Sequence, residues 1–294
     1  MEHASSLATG SAGDLREVDY WLFGAVRPRS CPLRVLVAGG DAGGAARLAE
    51  ALHAEGRPGE VDFLASGGAL VSSVYDYIDC DLSAEAEPTA RLDALGGLLA
   101  PGGGVRVVVA APDGRGGGYP VEGLFDLLAA AGLAPVCLMA PLAYDPALLE
   151  ADPAMCTDLD FLPDRARAAL AESRGEGRAF HVAYARRAGE VVGRADPMDP
   201  ACVPVLRALD GLSLSRLMRS DNRLPVRLGG REVLLPVISQ ARGLLPLIDG
   251  RRTVGELAAI LDNRGVDAAQ FRQVWRVTFA TFAGLNQLLL QAPP

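Results

Sequence analysis

The chain has 294 residues, half of them hydrophobic, 22% charged and only 5% aromatic, which excludes wholesale disorder and leaves Ala, Leu and Val to supply most of the buried volume. A formal charge of -8 argues against a generic electrostatic grip on nucleic acid or on an anionic membrane surface. The cysteines Cys31, Cys80, Cys137, Cys156 and Cys202 are widely spaced, with neither a disulfide spacing nor a CxxC knuckle, and no run of about 18 apolar residues occurs. The expectation is a cytoplasmic protein with reduced thiols and no membrane insertion.

Residues 1–14 are small and polar and read as a loose tail. The stretch 15–26 mixes Tyr20, Trp21 and Phe23 with acidic residues, which suits a short helix packed onto the neighbouring domain. At 33–38 the aliphatic run LRVLVA reads as a strand; it stops at a glycine-rich turn, and 45–55 then carries Leu48 and Leu52 at helical spacing. Further strands are expected at 61–65, 75–80, 105–110 and 180–185. Helices are expected over 91–99, ended by Pro101 and the glycines after it, over 121–131, and within 145–177. Alternating strands and helices imply an α/β protein with a mostly parallel, doubly wound sheet.

Composition changes at 186–204, which is rich in Gly, Pro and Asp, so the chain divides into a tail and helix at 1–30, an α/β domain at 31–188 and a smaller α+β domain at 189–294. The last segment opens with a hairpin, 224–228 and 231–236, around Gly229-Gly230. Helices are then expected at 240–248, at 253–261 with a Thr253/Glu256 capping box, and at 267–290.

A glycine turn between a first strand and a first helix lets a ligand approach bare backbone beside unpaired helix N–H groups, although a tight turn needs no ligand. Other polar candidates are few. Asp76, Asp79 and Asp81 read either as a carboxylate cluster or as solvated residues at a sheet edge. His181 among apolar neighbours reads as a satisfied core histidine before a general base, and His3 and His53 give no metal-ligand spacing. Cys80 has no His nearby in sequence to activate it. Arg251-Arg252 after Asp249-Gly250 marks the start of a helix or a small anion site.

The segments RVLVAGGDAG (34–43), YDYIDC (75–80), LLAPGGG (98–104) and APDGRGGGYP (111–120), in that order and spacing, resemble a bacterial group of class I S-adenosylmethionine (SAM)-dependent methyltransferases. LPLIDGRRTVGELAAIL (245–261) and GLNQLLL (284–290) resemble that group's C-terminal extension. The resemblance implies a Rossmann-like methyltransferase sheet, SAM as cofactor, and a cofactor site that includes Gly39, Gly40, Asp41, Gly43, Asp79 and Cys80. No catalytic residue and no metal ligand is implied, and the methyl acceptor is unspecified.

The departures from that pattern concern the same site. Asp41 stands where the family turn carries a third glycine, where it would either bind the amino group of methionine or block the pocket. The second strand ends Leu64-Ala65-Ser66, without the carboxylate that accepts from the ribose hydroxyls. Only residues 66–74 separate that strand from YDYIDC, where the family has a helix, a strand and an adenine-facing loop; so short a link is expected to exclude a crossover, which takes about a dozen residues, and to leave the sheet one strand short. SAM binding is therefore expected to be weak or absent. This leaves two readings: a methyltransferase with a remodelled pocket, or a non-catalytic pseudo-methyltransferase that binds protein partners, or itself, through residues 189–294.

Overall fold

In the computed structural model, residues 14–69, 73–112, 117–149, 159–175 and 177–293 are described. Residues 113–116 of the APDGRGGGYP segment lie outside them. The first helix, α1 (Leu15–Phe23), starts at Asp14, whose carboxylate accepts from the Arg16 N–H, and stops at Gly24. There φ is +87°, and a Cβ would sit 2.2 Å from the Gly193 carbonyl oxygen, so only glycine fits.

Six strands form the main sheet: β1 (Leu33–Ala38), β2 (Gly59–Leu64), β3 (Tyr75–Asp81), β4 (Leu99–Ala110), β5 (Leu133–Leu138) and β6 (Phe180–Arg187). Their order is β2-β1-β3-β4-β6-β5. The first four run parallel, and β6 is antiparallel to both β4 and β5. Four helices cover the faces: α2 (Ala42–Ala54), α3 (Pro88–Gly96), α4 (Val121–Ala130) and α5 (Asp164–Arg174). Period-two burial sorts the strand residues. Val35, Val37 and Tyr77 join one core with Leu48 and Leu52 of α2, whereas Leu36, Ala38, Ile78 and Cys80 join a second with Leu92, Leu95, Leu124 and Leu128.

The sheet is reduced as expected, with six strands, but the reason given for it needs correction. Residues 65–74 do link two parallel strands of one sheet, passing from the edge strand β2 to β3 on the far side of β1. A chain extended at about 3.3 Å per residue can retrace a six-residue strand of roughly 20 Å and step across a neighbour without a helix. Arg91 of α3 pins this link by donating to the carbonyls of Gly68 and Ala65 at 3.0 and 3.1 Å. Strand β5 was not anticipated. Pro135 within it is tolerated because β5 is the sheet's other edge.

Beyond residue 188 come β7 (Val203–Leu206), α6 (Gly211–Leu217), the hairpin β8 (Arg223–Leu228) and β9 (Arg231–Pro236), α7 (Val254–Asp262), α8 (Ala268–Gly284) and β10 (Leu288–Gln291). The hairpin and the capping box on α7 are as expected. The long helix expected over 267–290 is not. It ends at Gly284, Asn286 takes φ +57°, and β10 pairs antiparallel with β7. The expected helix over 240–248 is a short turn at Ala241–Leu244 followed by a 3-10 turn.

The apolar core does not respect the composition boundaries. One continuous cluster contains Leu15 and Trp21 of α1, Val35 of β1, Trp275 and Phe282 of α8, and Leu288 to Leu290 of β10. Polar links reinforce it. Trp21 Nε1–H donates to Asn286 Oδ1 at 2.9 Å, Val26 bridges Gln291, and Glu17 is buried against Arg207 at 3.2 Å while accepting from the Tyr184 hydroxyl at 3.0 Å. Burial pushes the Glu17 carboxyl upward against the pull of Arg207.

Candidate functional site

The glycine turn comes directly after β1. Gly39 takes φ +76°, and a Cβ there would lie 2.1 Å from the Asp81 carbonyl oxygen, so the C-terminal ends of β1 and β3 are pressed together by the missing side chain. A cavity of ≈ 270 Å³ opens at this point, lined by the turn, by Arg47 of α2, by Asp79 and Asp81 of β3, by Arg106 of β4 and by Phe180 of β6. Open α/β sheets place their ligands at such carboxyl ends.

Of the residues implied by the resemblance, Gly39, Gly40, Asp41 and Asp79 share this cavity wall. Gly43 sits on the exposed first turn of α2, outside the lining. Cys80 points away, into the second core on the opposite face of β3, as alternation along a strand requires. Burial pushes its thiol far above the ordinary range, with Asp79 adding to the effect, which leaves no thiolate nucleophile.

Asp41 has a local occupation. Its carboxylate accepts from the Gly44 N–H at 3.1 Å and caps α2. Asp76 and Asp79 are not solvated edge residues, because β3 lies inside the sheet between β1 and β4, whereas Asp81 ends the strand half-buried at the open cavity. Asp76 accepts from the Arg34 N–H at 2.8 Å, and Asp79 is buried against Arg106, with Nη1 donating to Oδ1 at 2.8 Å. Asp81 accepts from the Ser83 N–H at 2.9 Å. Arg106 and Arg47 were not singled out by sequence. An arginine in the otherwise apolar VRVVVA strand was the available signal, since a buried guanidinium requires a buried partner.

No carboxylate stands at the end of β2, and Asp62, two residues earlier, accepts from the Tyr75 hydroxyl at 2.8 Å. Arg251 and Arg252 donate backbone N–H groups to Asp249 at 3.0 and 2.9 Å, which occupies that turn internally. Among the described residues no group of three or more His, Cys, Asp or Glu is placed to hold a metal ion, and no helix is long and apolar enough to cross a membrane.

His181 is fully buried, 2.9 Å from the Tyr144 hydroxyl through Nδ1 and 2.7 Å from Glu172 Oε1 through Nε2. Burial lowers its pKa below the ordinary 6.5, and Glu172 opposes part of that. The unfolded chain then binds a proton that the folded chain refuses, so this contribution to stability is present above pH 6.5 and is lost as pH falls through it. Urea unfolding should therefore show wild type losing stability between pH 7 and 5.5, by at most about 1.4 kcal/mol per pH unit from this group, with a smaller loss in His181→Gln. Equal pH slopes for the two proteins would contradict this.

No family model and no curated protein matches the chain. Solved structures do. PKMT2 from Rickettsia typhi superposes with a TM-score of 0.62 at 11% identity, over 97% of this chain and 76% of that one. The same protein in complex with AdoHcy gives 0.54 over 98% and 76%, again at 11% identity. An O-methyltransferase of a trans-AT PKS multienzyme from Brevibacillus brevis, in complex with S-adenosyl-L-homocysteine, matches 54% of this chain and 68% of that one at 15% identity and a TM-score of 0.31. With the six-stranded, parallel-rich sheet and the glycine turn at its carboxyl edge, the two PKMT2 likenesses give the chain the Rossmann-like fold of SAM-dependent methyltransferases.

Proposed function

We propose that the chain is a SAM-dependent methyltransferase-like protein that holds the methionine end of SAM at the glycine turn and encloses its adenosine poorly, with weak binding and impaired transfer as the result. The carrying observation is the mixed lining of the ≈ 270 Å³ cavity: Asp79 and Asp81 beside Arg47 and Arg106, around bare glycine backbone. Both signs of charge suit an amino-acid zwitterion, and a carboxylate suits a sulfonium. SAM supplies an already activated methyl group, so the protein's share is to align donor and acceptor and to exclude water. Arg47 is positioned for a ligand carboxylate, and the Asp79–Arg106 pair fixes the floor of the cleft.

Calorimetric titration with S-adenosylhomocysteine tests this. Weak one-to-one binding is expected, with a dissociation constant on the order of 100 μM. Gly44 lines the cavity, and a Cβ there would lie 3.8 Å from Val37, an ordinary contact. Gly44→Leu should thus fold, fill the cleft and weaken binding at least about tenfold. Unchanged affinity in this variant would remove the glycine turn from the site.

The second reading, a non-catalytic descendant acting in assembly, is favoured by the absence of a carboxylate at the end of β2. It is supported if no S-adenosylhomocysteine binds. The apolar residues Trp275, Phe282 and Leu288 to Leu290 are buried within the chain, so association through residues 189–294 would use exposed groups such as Leu234 and Val277. Light scattering would then give a multiple of 30.7 kDa; a monomer would count against it.

A further inference from the structure

A second cavity of ≈ 480 Å³ adjoins the first and shares Arg106 and Phe180 with it. It extends from β4 and β6 to the turn of the β8–β9 hairpin. Its charged lining is Arg106, Arg178 and Arg227, and no carboxylate is among its described lining residues, in a chain whose formal charge is -8. Arg106 is neutralised by Asp79, but Arg178 and Arg227 have no carboxylate partner among the described residues. Arg178 is nevertheless held in place: its guanidinium lies 3.9 Å from the centroid of the Tyr144 ring and donates to the Ala143 carbonyl. Arg227 Nε donates to the Gly230 carbonyl at 3.0 Å across the hairpin turn. Met139 and Val182 supply apolar wall, and Phe180 stands 52% exposed at the lip, a large ring left in water.

Guanidinium groups with no carboxylate partner among the described residues, fixed at one end of a partly apolar cavity, match a ligand carrying an anionic group on an apolar body. We infer that this cavity binds a small organic anion, a carboxylate or phosphate ester, with the anionic group between Arg178 and Arg227 and the apolar body against Phe180 and Met139. Because the cavity shares Arg106, Val108 and Phe180 with the glycine-turn cleft, its occupant is the methyl acceptor; that role, unlike the binding itself, rests on the methyltransferase reading.

The test is calorimetric titration of the full chain with 1-naphthoate, 1-naphthyl phosphate and the neutral 1-naphthalenemethanol, alongside S-adenosylhomocysteine. At least one anion should bind about tenfold or more tightly than the alcohol, and the stronger of the two identifies the anionic group. Arg227 is exposed, so Arg227→Gln should fold; it should weaken anion binding about tenfold and leave S-adenosylhomocysteine binding unchanged. Arg178→Gln, with its fold checked by circular dichroism, should act in the same direction. Anion binding without S-adenosylhomocysteine binding would uphold this site while removing the methyltransferase reading. Equal binding of the alcohol and the anions, no anion binding to folded wild type, or full affinity in Arg227→Gln would overturn the inference.

Discussion

Replacing Asp19 by alanine is expected to destabilise the chain by about 3–5 kcal/mol, because it strands a buried arginine. Asp19 on α1 accepts from Arg57 Nη1 and Nη2 at 2.8 and 3.0 Å, and the Asp19 and Arg57 side chains are 2% and 1% exposed. The same carboxylate accepts from Arg27 Nε at 2.8 Å and from its backbone N–H at 3.1 Å. Removing the carboxylate leaves the Arg57 guanidinium in the core with the Cys31 carbonyl as its one remaining acceptor among the described residues. The pair itself need not be a large net gain, since desolvating both charges opposes their attraction. The double variant Asp19→Ala/Arg57→Met should accordingly recover much of the loss. Urea midpoints for the three proteins at constant m-value decide the matter; a wild-type midpoint in Asp19→Ala would mean that α1 is not latched as described.

Trp275→Ala should cost a comparable amount, about 3–5 kcal/mol, and should lower the midpoint of the whole chain by roughly 10 °C. The indole is fully buried between Phe271, whose ring centroid is 6.4 Å away at 3° between planes, and Phe279 at 5.7 Å. Its Nε1–H donates to the Pro197 carbonyl at 2.6 Å. The cavity would open in the cluster that also holds α1 and β1. The chain has two tryptophans, so the variant keeps Trp21 of α1 as its only indole reporter. The expected result is a shifted Trp21 fluorescence transition that coincides with the far-UV circular dichroism transition. A Trp21 transition left in place, with a separate early loss of helix, would show instead that residues 189–294 unfold independently.

Strands β1 and β4 were legible as the dense aliphatic runs that strands buried in a mostly parallel sheet leave, β2, β3 and β6 as short runs mixing aliphatic, aromatic and polar residues, and the turn at Gly39-Gly40 because positive φ selects glycine. Strand β5 was hidden by Pro135, which weakens a strand reading everywhere except at an edge. The run Leu288-Leu289-Leu290 fits a helix as well as a strand by sequence. Its partner β7 decided it, together with Asn286, which turns the chain at φ +57° and fixes Trp21 through its side chain. Around the cavity, Gly39, Gly40, Asp41 and Asp79 could be named from the family resemblance of the segments that carry them. Arg47, Arg178 and Arg227 could not, because nothing local distinguishes a guanidinium lining a cleft from one in solvent.

By itself the sequence determined the α/β order, the glycine turn between β1 and α2 and the hairpin at Gly229-Gly230, since each depends on backbone preferences or side-chain periodicity within a few residues, while the missing carboxylate at the end of β2 was legible only against the family pattern the sequence resembles. Only the tertiary structure decided which charges are buried together and where the core ends. Arg106 meets Asp79 across 27 positions, Arg57 meets Asp19 across 38, and Arg207 meets Glu17 across 190. Such pairs carry no local signature. Their geometry is imposed by strand order and by the packing of α1 and β10 onto the same core, and desolvation makes each of them costly to leave unpaired.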